Sequence, residues 1–282
     1  MFKTTKPLPA FDLAQGSEAL LASTAAVTSG LRARSIAALA HLAITATVAG
    51  LLAALLFLVW FPSTVRDMVG GRELFFIVMS VDLVMGPALT FVIFNQKKTF
   101  PHLAKDLAVI GLLQLAALGF GLNTLLIARP VHINFEVDRL RVTTAADIDP
   151  AALQDAPANL RALPLWGPIR IASLKPTKPN EQLRSLDLAM AGFDMFQQPS
   201  TWHDFDAKQQ DLLWSKAGSI EDLKKKWAGK PLLLQELESS IRRSGEPVEN
   251  LRSIPIMSKR ASWTALINAQ GVLLETVKAD SF

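Results

Sequence analysis

Asp82 lies inside the apolar run from Leu74 to Phe94, where a carboxylate is out of place. The run is about the length needed to cross a bilayer core of roughly 30 Å, which puts Asp82 near its midplane. A charge there costs on the order of 2.5–3.5 kcal/mol on insertion scales unless it is paired or protonated. Gly86 follows four residues later on the same helical face, and Pro87 comes next. Pro87 has no N–H to give the Leu83 carbonyl, so a kinked helix with a free acceptor beside the acid is expected. His41 and Gln114 fall at similar depths in two other apolar segments, each roughly 9–10 Å from the same side at 1.5 Å per residue. Such a set can join helices by hydrogen bonds, or it can receive a polar group from a partner's helix. For His41 and Gln114 the expectation is a link between helices; for Asp82 both roles stay open. Proton transport fits poorly, because three helices with one central acid make a thin pathway.

Other reactive groups are sparse. The chain has no cysteine, which excludes disulfides, thiolate metal sites and thiol nucleophiles. Beyond residue 130 the histidines are His132 and His203, with no Gly-x-Ser-x-Gly elbow near either, and a surface or strand-edge place is expected for both. Asp204-Phe-Asp206 reads as a helix start rather than a cation site. No histidine pair has metal-ligand spacing and no glycine-rich phosphate loop occurs. No enzyme activity, metal or cofactor is expected.

The elements that carry the polar residues are three candidate membrane crossings, at about residues 35–61, 73–94 and 107–128. Lys3, Lys6, Arg32 and Arg34 precede the first crossing, and Lys97, Lys98 and Lys105 lie between the second and third. The intervening loop carries only Arg66 and Arg72, each near an acid. This asymmetry favours a cytoplasmic N-terminus, with residues 131–282 outside. Residues 1–31 mix Pro, Ser, Thr and Ala without a sustained period and are expected to be a mobile cytoplasmic arm rather than a cleavable signal.

Half of the 282 residues are apolar, concentrated before residue 130, and the charge divides in the same place. Residues 1–130 hold ten Lys/Arg against six Asp/Glu, whereas residues 131–282 hold nineteen of each. The net charge of +4 therefore belongs to the apolar part and its flanks, and nucleic-acid binding is not expected.

Residues 131–282 read as a separate domain. Val131–Val137 alternates apolar and polar side chains, Asp138–Val142 follows, and Trp166–Ala172 offers another strand. Asp149-Pro150 opens a short helix. Longer helices are expected at residues 180–191, 204–216, 220–228 and 232–243, and strands at 253–257, 263–267 and 272–277. The fold class is then an α+β membrane protein: a three-helix transmembrane bundle followed by an extracytoplasmic α+β domain with an antiparallel sheet.

The series Val81-Asp-Leu-Val-Met-Gly-Pro-Ala-Leu-Thr90, Lys98, Asp106–Ile110, Gln114–Ala117 and Arg129-Pro-Val131 resembles the type IV pilin accessory proteins of the TfpX/TfpZ family. Phe135-Glu-Val-Asp138-Arg139 and Thr264–Gly271 continue the match, and His41, Trp60, Pro62 and Gly70-Gly71 also fall where the family's pattern has such residues. The resemblance marks Arg129, Pro130, Phe135, Asp138 and Arg139 as a signature at the membrane exit. Residues 1–31 depart from it. It implies an inner-membrane protein of a Gram-negative bacterium that supports type IV pilus biogenesis, with a cognate major pilin and other pilus assembly proteins as partners and no enzymatic activity. The competing reading is a membrane-tethered sensor or regulatory subunit with a periplasmic ligand-binding domain.

Overall fold

A computed structural model describes residues 13–95 and 98–281 of the chain. Helix α1 (Leu13–Leu55) is 43 residues long, about 65 Å at 1.5 Å per residue. It is helical well inside the segment expected to be an irregular arm, because Leu, Ala, Gln and Glu between Leu13 and Ala22 are good helix formers. The first twelve residues of that arm lie outside the described residues. A π-helical turn, Leu56–Trp60, closes with Phe61 N donating to Leu56 O at 2.9 Å. Pro62 then starts the short helix α2 (Ser63–Arg66). Helix α3 (Gly71–Ile93) continues through Pro87, and α4 (Phe100–Ala128) follows. Val27–Trp60, Gly71–Ile93 and Phe100–Ala128 are long and apolar enough to cross a membrane. Little of their surface is buried, and residues such as Leu39, Leu51, Leu112 and Phe120 stand exposed, an apolar surface of a kind that soluble monomers rarely carry.

The chain divides into two compact units, Met1–Ala49 with Met79–Leu118, and Gly50–Val78 with Gly119–Phe282. The division cuts across the helices rather than falling at residue 130. In the first unit, Arg34 Nε donates to Phe94 O at 2.9 Å and so satisfies a carbonyl just past the C-terminal end of α3, where a cation also suits the helix dipole.

The second unit contains the helix ends and an eight-stranded sheet. Its strands are β1 (Pro130–Glu136), β2 (Arg139–Thr144), β3 (Ile169–Ser173), β4 (Trp202–Asp204), β5 (Gly218–Ser219), β6 (Arg252–Met257), β7 (Ser262–Ile267) and β8 (Leu273–Val277). The order is β4-β3-β1-β2-β6-β7-β8, with β5 on β6. The sheet is mixed, not antiparallel: β1 lies parallel to β3, and β2 parallel to β6. Side-chain alternation has the same period in both directions, so it does not encode strand direction. The parallel pairs follow from long connections. Helices α5 (Pro179–Met190), α6 (Ala207–Lys216), α7 (Ile220–Lys226) and α8 (Pro231–Ser244) all intervene between β2 and β6. Ile220, Leu223, Trp227 and Leu237 bury against Leu266 and Val277 to form one core. A second core gathers Val131, Ile148, Leu160, Ile171 and Trp202.

The segment from Phe61 to Gly71 is tied to the last strands. Thr276 Oγ1 donates to Thr64 O at 3.1 Å, Ser258 Oγ to Met68 O at 2.8 Å, and Lys278 pairs with Asp67 at 3.0 Å. These bonds explain why residues 50–78 belong to the sheet-containing unit. Phe61 is fully buried, and a Cβ on Gly71 would lie 2.3 Å from its ring. The ring has no room to move away, so Gly71→Ala is expected to destabilise this unit by about 1–3 kcal/mol. Chemical unfolding followed by tryptophan fluorescence measures this, with Gly229→Ala as the control, since nothing stands within 4 Å of a Cβ there.

Candidate functional site

Within the first unit, segments of α1, α3 and α4 surround a partly open cleft of about 210 Å³. His41, Thr45 and Val48 come from α1, Met79, Asp82 and Leu83 from α3, and Gly111, Gln114, Leu115 and Leu118 from α4. The three polar residues singled out in the sequence thus line one cleft, but their hydrogen bonds do not join them side chain to side chain. His41 Nδ1 bonds the Thr90 hydroxyl at 2.6 Å. Gln114 Nε2 donates to the backbone carbonyl of Asp82 at 3.3 Å. Gln114 thus reaches α3 at the Asp82 carbonyl, one residue before the Leu83 carbonyl that Pro87 leaves without its usual helical donor. Among the described residues the Asp82 carboxylate has no hydrogen-bond or ion-pair partner.

Gly86 makes this arrangement possible. A Cβ at that position would stand 2.0 Å from Gln114 Nε2, so the missing side chain is the space through which Gln114 reaches α3. Thr90 escaped notice in the sequence, although it continues the face of Asp82 and Gly86 at four-residue intervals and is almost fully buried. Thr45, which spends its hydroxyl on its own helix through the His41 and Leu42 carbonyls, was missed in the same way.

The exit signature falls in the second unit. Arg129 is buried and joins two places: its Nη1 donates to Leu126 O at 2.6 Å and its Nε to Pro164 O at 3.1 Å. It closes the end of α4 and holds the loop before β3, and burial lowers its pKa from the usual guanidinium range. Pro130 opens β1, and Phe135 is a core residue of the same strand. Asp138 and Arg139 pair at 2.8 Å in the β1–β2 hairpin, where Val137 adopts a φ of 58° that a β-branched residue rarely takes.

His132 is not a surface or strand-edge residue. It is 0% exposed in β1, a strand flanked on both sides, because β3 lies beside β1 and covers it. Its ring stands edge-on to Trp202, with centroids 4.7 Å apart and planes at 78°. Among the described residues neither ring nitrogen has a hydrogen-bond partner, and burial lowers the imidazole pKa to about 4. His203, by contrast, is exposed on the edge strand β4. On the same face of β1, Asn134 Nδ2 donates to Ser173 Oγ at 2.7 Å. Glu136 faces Arg141 at 3.4 Å, with burial as the main cause of a raised carboxyl pKa and Arg141 opposing it. Asp206 caps α6 by accepting from Gln209 N at 2.9 Å, which agrees with a helix start there.

These features define a class: a protein with three helices suited to a membrane, a mainly apolar cleft among them that carries a few polar side chains, and a mixed-sheet domain on the same chain. A family profile described as "Fimbrial assembly protein FimB" matches residues 29–70. The fimbrial assembly protein of serogroup I from Dichelobacter nodosus is 28% identical over 243 residues, covering 86% of this chain and 93% of the relative. That of serogroup E1 is 26% identical over the same shares of both chains. The fimbrial assembly protein of serogroups C1 and C2 is 37% identical over 108 residues, 38% of this chain and 82% of that relative. No solved structure matches. The chain belongs to the fimbrial assembly protein family, in agreement with the type IV pilin accessory resemblance.

Proposed function

We propose that this protein is an inner-membrane accessory factor for type IV pilus biogenesis, acting as a chaperone or stability factor for a cognate pilin. The names of its relatives support a part in fimbrial assembly. The cleft among α1, α3 and α4 carries the finer reading. It is partly open, lies between helices whose own apolar surface is largely uncovered, and offers Asp82 without an internal partner among the described residues. A pilin subunit's hydrophobic helix would enter from the side, and a polar group or the charged amino terminus of that helix would meet the carboxylate. The basic flanks orient the chain with its N-terminus in the cytoplasm and residues 131–282 in the periplasm, where the pilin head waits. The protein acts by binding and catalyses no reaction.

Helix α5 supports a contact with that head. Leu183, Leu186 and Met190 lie on one face at helical spacing and are exposed, and no residue of the helix is buried. Leu186→Glu is expected to weaken pilin capture several-fold without changing the unfolding midpoint. The reading as a whole is tested by crosslinking intact membranes and purifying the protein. Recovery of a pilin supports the chaperone role. A small ligand bound by residues 131–282, with no pilin recovered, favours the sensor alternative instead.

A further inference from the structure

The loop leading into β3 carries an uncharged stretch, Ala162-Leu-Pro-Leu-Trp-Gly-Pro-Ile169, bracketed by Arg161 and Arg170. Its tip is apolar and open: Leu165 is 55% and Trp166 75% exposed. The loop is nevertheless held in place. Buried Arg129 at the end of α4 grips the Pro164 carbonyl, and Gly167, beside Val59 O, turns the backbone with φ at 60°, a conformation that other residues rarely adopt. Trp166, Gly167 and Pro168 share a shallow groove with Leu58, Val59 and Pro62 at the end of the first apolar helical stretch. Leu58 is itself 84% exposed, so apolar surface at the end of the helix adjoins the apolar tip of the loop.

We infer that Leu165 and Trp166 insert into the lipid interface beside the C-terminal ends of α1 and α4, holding the sheet domain against the bilayer surface. The inference rests on the reading that these helices span a membrane. Tryptophan suits that depth because its ring is apolar and its N–H polar, and the N–H of Trp166 has no acceptor among the described residues. The flanking Arg161 and Arg170, both exposed, lie where anionic headgroups would meet them. A second protein would also cover an apolar tip. The adjoining lipid-suited helix and the grip of Arg129 at a helix end favour lipid.

The absence of cysteine allows clean single-site labelling of the full chain. Spin labels placed by Trp166→Cys, Leu165→Cys, Leu58→Cys and Leu232→Cys are compared in vesicles of phosphatidylethanolamine and phosphatidylglycerol. Collision with oxygen reports lipid, and collision with a water-soluble nickel chelate reports water. Leu232, on α8 and 78% exposed, is the aqueous reference, and Leu58 is the lipid reference. The expected result is a several-fold excess of oxygen over nickel accessibility at 58, 165 and 166, with the reverse at 232. Nickel accessibility at 165 and 166 equal to that at 232, with 58 in lipid, overturns the anchor alone. Shielding of 165 and 166 from both probes overturns it in favour of a protein partner. Nickel accessibility at 58 overturns the spanning reading, and the anchor with it.

Discussion

Replacing Asp82 with leucine is expected to abolish surface pili while leaving the amount and stability of the accessory protein unchanged. The contacts that hold its helices together do not use the carboxylate: His41 bonds Thr90, and Gln114 bonds the Asp82 backbone carbonyl, which a leucine retains. Removal of the acid therefore orphans no group inside the chain, and it relieves the cost of a carboxylate at membrane depth, on the order of 2.5–3.5 kcal/mol. On the proposed reading, what is lost is the partner's polar contact. Gln114→Leu provides the contrast. It removes a bond between helices, worth about 0.5–1 kcal/mol in a membrane setting, and lowers stability before it lowers piliation. Counting pili by electron microscopy beside immunoblots of pilin and accessory protein separates the two. Normal piliation in the Asp82→Leu strain rules out the partner role for the acid.

The second large effect is expected on acidification. His132 is neutral in the fold, with its pKa lowered by burial to about 4, while in the unfolded chain it titrates near 6.5. Stability is complete above pH 6.5 and falls as the pH drops towards 4, because in that window the unfolded chain binds a proton that the fold refuses. A shift of this size corresponds to about 3 kcal/mol at 1.36 kcal/mol per pKa unit. Glu136 works the other way. Its carboxyl is raised by burial, so it favours the fold as the pH falls and offsets part of the loss. Unfolding free energies of the full chain in detergent between pH 7 and 4 test this. His132→Phe keeps a ring against Trp202 and is expected to flatten the profile. A wild-type profile that is already flat, or an unchanged slope in the variant, contradicts this role for His132.

Much of the fold is legible in the chain because its signals are local. The alternation of Val131–Val137 marks β1, Ser219 accepts from Asp222 N at 3.1 Å to start α7, and Gly245 ends α8 with φ at 71°. What escaped is set by partners far apart in sequence. The parallel placement of β3 beside β1 turns His132 from an edge residue into a buried one. The strand β4 is three residues long, too short for any periodicity to register. Arg34 reads as a flanking charge until α3 brings Phe94 O beside it. At the site, Asp82, His41 and Gln114 are legible from depth as anomalies in apolar segments, whereas Thr45, which also lines the cleft, is not. Their pairing was not, because it turns on which helix face meets which, and the His41–Thr90 bond spans 49 positions.

The central claim is that the cleft beside Asp82 receives the helix of a pilin. Leu115 lines that cleft and is exposed, while Leu113 points about 200° away around α4 at 100° per residue. A photo-crosslinking amino acid at each position, activated in intact cells, tests the claim most directly. The expected result is a pilin adduct from position 115, absent from 113 and lost in the Asp82→Leu background. Equal pilin adducts from both positions, or none from 115 in cells that assemble normal pili, would contradict it.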